Sequence, residues 1–150
     1  MDIVPQHISK YACLSASICV IPNCGITYVY GYTNLSLLFG LLYVSSILHW
    51  HKVRNGWISK IDRGVALTTM YRLTFIDRLR LHPTYQMYWF YVVSIMSVSF
   101  TLNELAFVQV KHMKSVERER ACYYSVGRHI LFIHLLPTVT YGTFIILSNK

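Results

Sequence analysis

Charge is scarce in this sequence. Asp, Glu, Lys and Arg together make up 13% of its 150 residues, about half the share carried by a soluble domain. With apolar residues at 54%, the composition excludes an ordinary water-soluble globule and points to a membrane. Acidic residues are scarcest of all, six against fourteen Lys and Arg, for a formal charge of +8. Repeats, low-complexity tracts and linkers long enough to divide domains are also missing, so residues 1–150 read as a single membrane-embedded helical domain. The motifs G-x-x-x-x-G-K, G-x-G-x-x-G, H-E-x-x-H and G-x-S-x-G are absent, leaving nucleotide binding and the common hydrolase signatures without support. Cys13, Cys19, Cys24 and Cys122 have neither C-x-x-C spacing nor an extracellular framework around them, and read as small apolar packing residues. The first ten residues place Asp2, Pro5 and His7 ahead of any apolar run. This is unlike the basic leader of a secretory signal, and no cleavage is expected.

What is present is a series of apolar runs. Five candidate spans are separated by charged or Pro-containing joints, which predicts an all-α bundle of about five transmembrane helices. The first, Tyr11 to Tyr32, contains Pro22 and Gly25, which membrane helices tolerate when neighbours satisfy the freed backbone groups. The second, Asn34 to Trp50, carries no charge, and its rise of about 1.5 Å per residue brings it close to the thickness of a bilayer core. The third, Gly64 to Ile76, is short and carries Arg72. That charge must snorkel or find a carboxylate, for which Asp77 is the nearest candidate. The fourth, Tyr85 to Leu102, opens with Tyr85, Tyr88, Trp89, Phe90 and Tyr91, the aromatic belt of a headgroup boundary. The fifth runs from His129 to Leu147 and includes Pro137 and Gly142.

Five crossings would put Lys10, Lys52, Arg54, Lys60, Arg63, Lys111, Lys114, Arg118, Arg120 and Arg128 on the N-terminal side. Arg72, Arg78, Arg80 and Lys150 would lie on the other. This asymmetry predicts an N-terminus in the cytoplasm, or in the matrix of a mitochondrial membrane. The net charge is then mostly a topology signal with some attraction to anionic headgroups. Nucleic acid is a poor partner, because the basic residues are dispersed over loops. The stretch from Lys111 to Arg128 reads as a solvated helix on the membrane surface. Glu104 reads as a cap or a partner for Lys111, and His82 and His112 as turn and loop residues.

The same topology brings polar residues to one membrane face. The end of the second span supplies Ser45 and His49, which at a spacing of four stand about 40° apart around a helix. Asp62 stands just before the third span, and His129 and His134 lie at the start of the fifth. Polar side chains at such depths are costly and often functional. Three histidines with an open fourth position match a catalytic zinc, and a neighbouring carboxylate can hold a bound water.

This order, S-x-x-x-H near the end of one helix, Asp at the start of the next and histidines in the last, resembles the superfamily of alkaline ceramidases, adiponectin and progestin receptors and haemolysin-III-like proteins. About a third of the chain is covered. The resemblance implies a helical bundle holding zinc through His49, His129 and His134, with Ser45 and Asp62 close to the metal's water, and hydrolysis of a lipid amide or ester as the activity. Two departures stand out. The last pair is spaced by five rather than four, which turns the second ring about 140° from the first on a regular helix, and a π-bulge would be needed to restore the alignment. The chain also offers five spans where the family has seven.

Other readings of the same residues remain open. His49, Trp50 and His51 would serve equally as an interfacial anchor, Ser45 and Ser46 could bond the preceding turn, and Asp62 with Arg63 could be a charge pair opening a helix. The chain would then be a non-enzymatic subunit of a larger membrane assembly. The spacing of His51 and Asp62 also resembles that in the small membrane anchor of succinate dehydrogenase, which implies haem or quinone binding, although Arg63 replaces the Tyr that follows in that motif.

Overall fold

A computed structural model describes residues 4–51, 56–110 and 112–150. The described residues form an all-helical bundle without a strand. Its helices are α1 (Gln6–Val29), α2 (Thr33–His51), α3 (Trp57–Phe75), α4 (Pro83–Val110), α5 (Ser115–His129) and α6 (Leu136–Ser148). A 3-10 turn, Asp77–Arg80, follows α3, and a π-helical turn, Ile130–Leu135, joins α5 to α6 without a break. Four segments are long and apolar enough to cross a membrane: α1, α2, α4 and the continuous rod Ser115–Ser148.

The helix faces are inverted relative to a soluble bundle. On α2, Leu37, Leu41, Val44 and Leu48 form an outward stripe at helical spacing, each more than half exposed, while Ser45 and Ser46 on the other side are buried. In water this arrangement would be unfavourable, because apolar area would be left wet and hydroxyls dried. In a bilayer the Leu side chains meet acyl chains and the hydroxyls find partners inside the bundle. The chain is a multi-pass membrane protein of helical-bundle architecture.

Short connections set the antiparallel packing. The end of α1 is closed by Gly31, whose φ of +76° is the left-handed conformation that favours glycine. Gly31 N–H donates to the Tyr28 carbonyl at 3.1 Å and Tyr32 N–H to that of Thr27 at 2.8 Å, the paired bonds of a Schellman ending. The returning α2 is fastened to α1 where Ser36 Oγ donates to the Cys24 carbonyl at 2.8 Å and Cys24 Sγ to that of Ser36 at 3.3 Å. Against the other side of α1, Gly142 brings α6 close. A Cβ there would stand 2.9 Å from Asn23 Oδ1, while Asn23 Nδ2 donates to the Thr138 carbonyl at 3.2 Å.

One expectation needs correction. The basic stretch is not a separate surface helix, since α5 begins at Ser115, buries Cys122, Ser125 and Val126 against the bundle and runs straight on into the last span. His129 therefore lies midway along a rod of 34 residues, not at a solvated helix start. Glu104 meets Arg63 Nη2 at 3.0 Å and ties α4 to α3; its expected partner Lys111 lies outside the described residues. The expected partner of Arg72 is present: its Nε lies 2.7 Å from Asp77 Oδ2, with the carboxylate buried. All four free cysteines are buried or half-buried.

Apolar packing divides into two groups. One is centred on Leu35, Trp89, Tyr141 and Ile145, and the other on Ile8, Ala12, Trp50, Val110 and Cys122. The second lies at the end of the bundle where the C-terminal part of α2 and the first turns of α3 come together with the end of α4 and the π turn. The candidate residues gather there.

Candidate functional site

The site is built outward from two consecutive serines. Ser45 Oγ and Ser46 Oγ each donate to Asp62 Oδ1 at 2.9 Å, and Ser45 Oγ also reaches the Leu42 carbonyl at 3.1 Å. Asp62 is thus neither a helix-opening charge nor a partner of Arg63. It lies one and a half turns inside α3, its carboxylate held by charge-assisted hydroxyl bonds. One turn beyond Ser45, the half-buried His49 stands close enough to Asp62 to feel its charge.

Trp50 carries the site across to the last rod. Its ring is fully buried, with centroids 5.2 Å from His49 and 4.9 Å from His129, both edge-on. Its indole N–H is buried without a hydrogen-bond acceptor among the described residues. His129 and His134 lie with ring centroids 4.8 Å apart, and His129 is within electrostatic reach of both His49 and His134. The π turn accounts for this meeting. Adding one residue to the turn absorbs the extra residue between the two histidines, so a spacing of five returns both rings to one face.

Side chains from other helices hold each ring of the last rod. Ser15 Oγ on α1 lies 2.7 Å from His134 Nδ1 and 2.9 Å from the Ala12 carbonyl. Asn103 Nδ2 on α4 lies 3.1 Å from His129 Nδ1, while Asn103 Oδ1 accepts from Ser125 Oγ at 3.1 Å and Arg128 Nε at 3.2 Å. Ser15, Trp50 and Asn103 are structural members of the site that the sequence reading did not assign. A buried Asn near the end of an apolar helix is a signal that could have found Asn103, because such residues are expensive unless partnered. Ser15 lies among Ala12, Ala16 and Cys19 on a row of small buried residues and gave no comparable signal.

Ser45, Asp62, His49, His129 and His134 therefore converge at one end of the bundle. His51 does not join them: it is exposed, while Asp62 is turned to the serines. Among the described residues, no group of three His, Cys, Asp or Glu side chains stands ready to hold one metal ion. His134, with Nδ1 occupied by Ser15, leaves Nε2 for a ligand, and the orphaned Trp50 N–H is a donor on the ring that packs against His129. At His129 the bond from Asn103 must first be exchanged. Comparison of the chain with protein-family models, with characterised proteins and with solved structures finds no match.

Proposed function

We propose that this chain is a zinc-dependent hydrolase of a lipid amide or ester bond, acting at one boundary of the membrane. The observation that carries the reading is the π turn. It brings the His129 and His134 rings together, with His49 in electrostatic reach of His129, and so answers the spacing that a regular helix would leave misaligned. π-helical turns are rare and recur at functional sites.

In this reading His49, His129 and His134 would hold the ion, and the chemistry it would supply is the acidification of a water to a pKa of about 7. Asp62 lies near His49 and is oriented by two hydroxyls. It would take a proton from the water as its oxygen bonds to the carbonyl carbon, and return it to the leaving nitrogen or oxygen as the bond from that carbon to it breaks. Ser45 and Ser46 fix the carboxylate, and the Trp50 N–H supplies a donor for an oxygen in the site. The linkage of a membrane lipid lies near headgroup level, which suits a site at the C-terminal end of α2.

Purified protein loaded with zinc in lipid nanodiscs should release fatty acid from a fluorescent N-acyl or ester lipid. Asp62→Asn should lower the rate by about 100-fold or more, as expected for loss of an acid–base group. Unchanged turnover in Asp62→Asn, or no turnover of either lipid class, would defeat the proposal. Metal-free protein that co-purifies with fixed partner subunits would support a non-enzymatic bundle component instead.

A further inference from the structure

We infer that Asn103 and Ser15 are positioning residues that hold His129 and His134 in opposite neutral tautomers, His129 with its proton on Nε2 and His134 with its proton on Nδ1. Arg128 decides the first assignment. Its guanidinium can only donate, so the Asn103 atom 3.2 Å from Arg128 Nε must be the carbonyl oxygen. Ser125 Oγ donates to the same atom at 3.1 Å. The other end of the amide is then NH2, and its contact with His129 Nδ1 at 3.1 Å requires a lone pair on that nitrogen. A neutral ring with a bare Nδ1 carries its proton on Nε2.

The Ser15 hydroxyl has one proton and two close neighbours. With that proton given to the Ala12 carbonyl at 2.9 Å, the 2.7 Å contact to His134 is an Nδ1–H donated into the serine oxygen. His134 then turns a bare Nε2 toward the site and His129 turns an N–H. Two adjacent imidazoles, 4.8 Å apart by centroid, thus present one acceptor and one donor.

The His129 tautomer follows from the bonds of Arg128, Ser125 and Asn103, and that of His134 from the Ser15 proton lying on the Ala12 carbonyl. Their consequence for metal rests on the hydrolase reading. A ligating Nε2 needs its proton on Nδ1, donated outward to a carboxylate, carbonyl or water. His134 is already so arranged, whereas His129 is blocked until the Asn103 amide turns over or gives way. On that reading Asn103 would gate the third ligand. An aspartate at the same position would accept from Ser125, Arg128 and His129 together and would open that gate.

The test is nitrogen-15 NMR of the full-length protein with labelled histidine, stripped of metal, in nanodiscs. In the wild type, His129 should show an unprotonated Nδ1 and a protonated Nε2, and His134 the reverse. In Asn103→Asp the His129 pattern should invert, and Ser15→Ala should disturb His134 alone. For the same Asp variant, zinc binding followed by competition with a chelator should be tighter by about 10-fold or more, the scale of outer partners on ligating histidines. A wild-type His129 protonated on Nδ1, or an Asp variant with unchanged tautomers, would overturn the inference. The predicted spectra together with no zinc binding in either protein would uphold the tautomers and sink the hydrolase reading instead.

Discussion

At the scale of single residues, Asp62, Asp77 and Glu104 each have a partner within the bundle. Arg72 meets Asp77 at 2.7 Å, Arg63 meets Glu104 at 3.0 Å, and Asp62 is held by two serines. These partners allow α3 to pack within the bundle although its sequence is too polar to count among the four apolar spans. Arg72→Leu should therefore be destabilising, because it strands a carboxylate that is 3% exposed. The expected loss is about 3 kcal/mol, the low end for breaking a buried pair, since Arg72 itself is a quarter exposed. Thermal unfolding in detergent should show the drop, and Arg72→Leu with Asp77→Asn should recover much of it. Equal stability of the single variant and the wild type would mean that the pair contributes nothing. This contact was legible in the sequence because its partners are five residues apart and few other carboxylates exist. The Ser15–His134 contact spans 119 residues and Asn103–His129 spans 26. Only the packing of separate helices brings them together, so no local pattern announced them.

At the scale of elements, the π turn carries the argument. The histidine spacing of five showed that a regular helix would not serve, and the turn Ile130–Leu135 resolves it. The start of the rod was less legible. Hydropathy rises only at His129, so the charges of α5 suggested a surface helix, whereas its buried face of Cys122, Ser125 and Val126 joins the bundle. Deleting Leu131, which is exposed, should relax the π turn to a regular helix while keeping both histidines on one face. Circular dichroism should then show unchanged helicity, with the midpoint within a few degrees of wild type. Collapse of folding would show that the extra residue is needed for more than alignment. Where α6 crosses α1, Gly142→Val should lower stability by about 1–3 kcal/mol through overpacking, since even a Cβ lies 2.9 Å from Asn23 Oδ1. A midpoint unchanged in that variant would contradict the close approach.

At the scale of the whole molecule, the inverted faces explain why composition alone revealed the class. Outward Leu stripes and inward Ser, Asn and His residues sum to a chain that is apolar yet rich in hydroxyls, and such a chain is legible as a membrane bundle before any helix is placed. The convergence of the site was legible only in outline, because the alternation of helix direction tells which ends share a face but not which side chains meet. The distribution of Lys and Arg predicts an N-terminus on the cytoplasmic or matrix side. With α3 crossing, the C-terminus lies opposite. Protease protection of tags at the two ends in sealed vesicles should therefore give opposite results. Equal protection would mean that α3 does not cross.

The central claim is that one metal-binding place is assembled from two helices through a π turn. Metal content of protein purified from zinc-sufficient cells tests it most directly. Near-stoichiometric zinc that is lost in His49→Ala and in His134→Ala, both still folded by circular dichroism, is the predicted result. Zinc-free wild-type protein, or zinc retained in both variants, would contradict it.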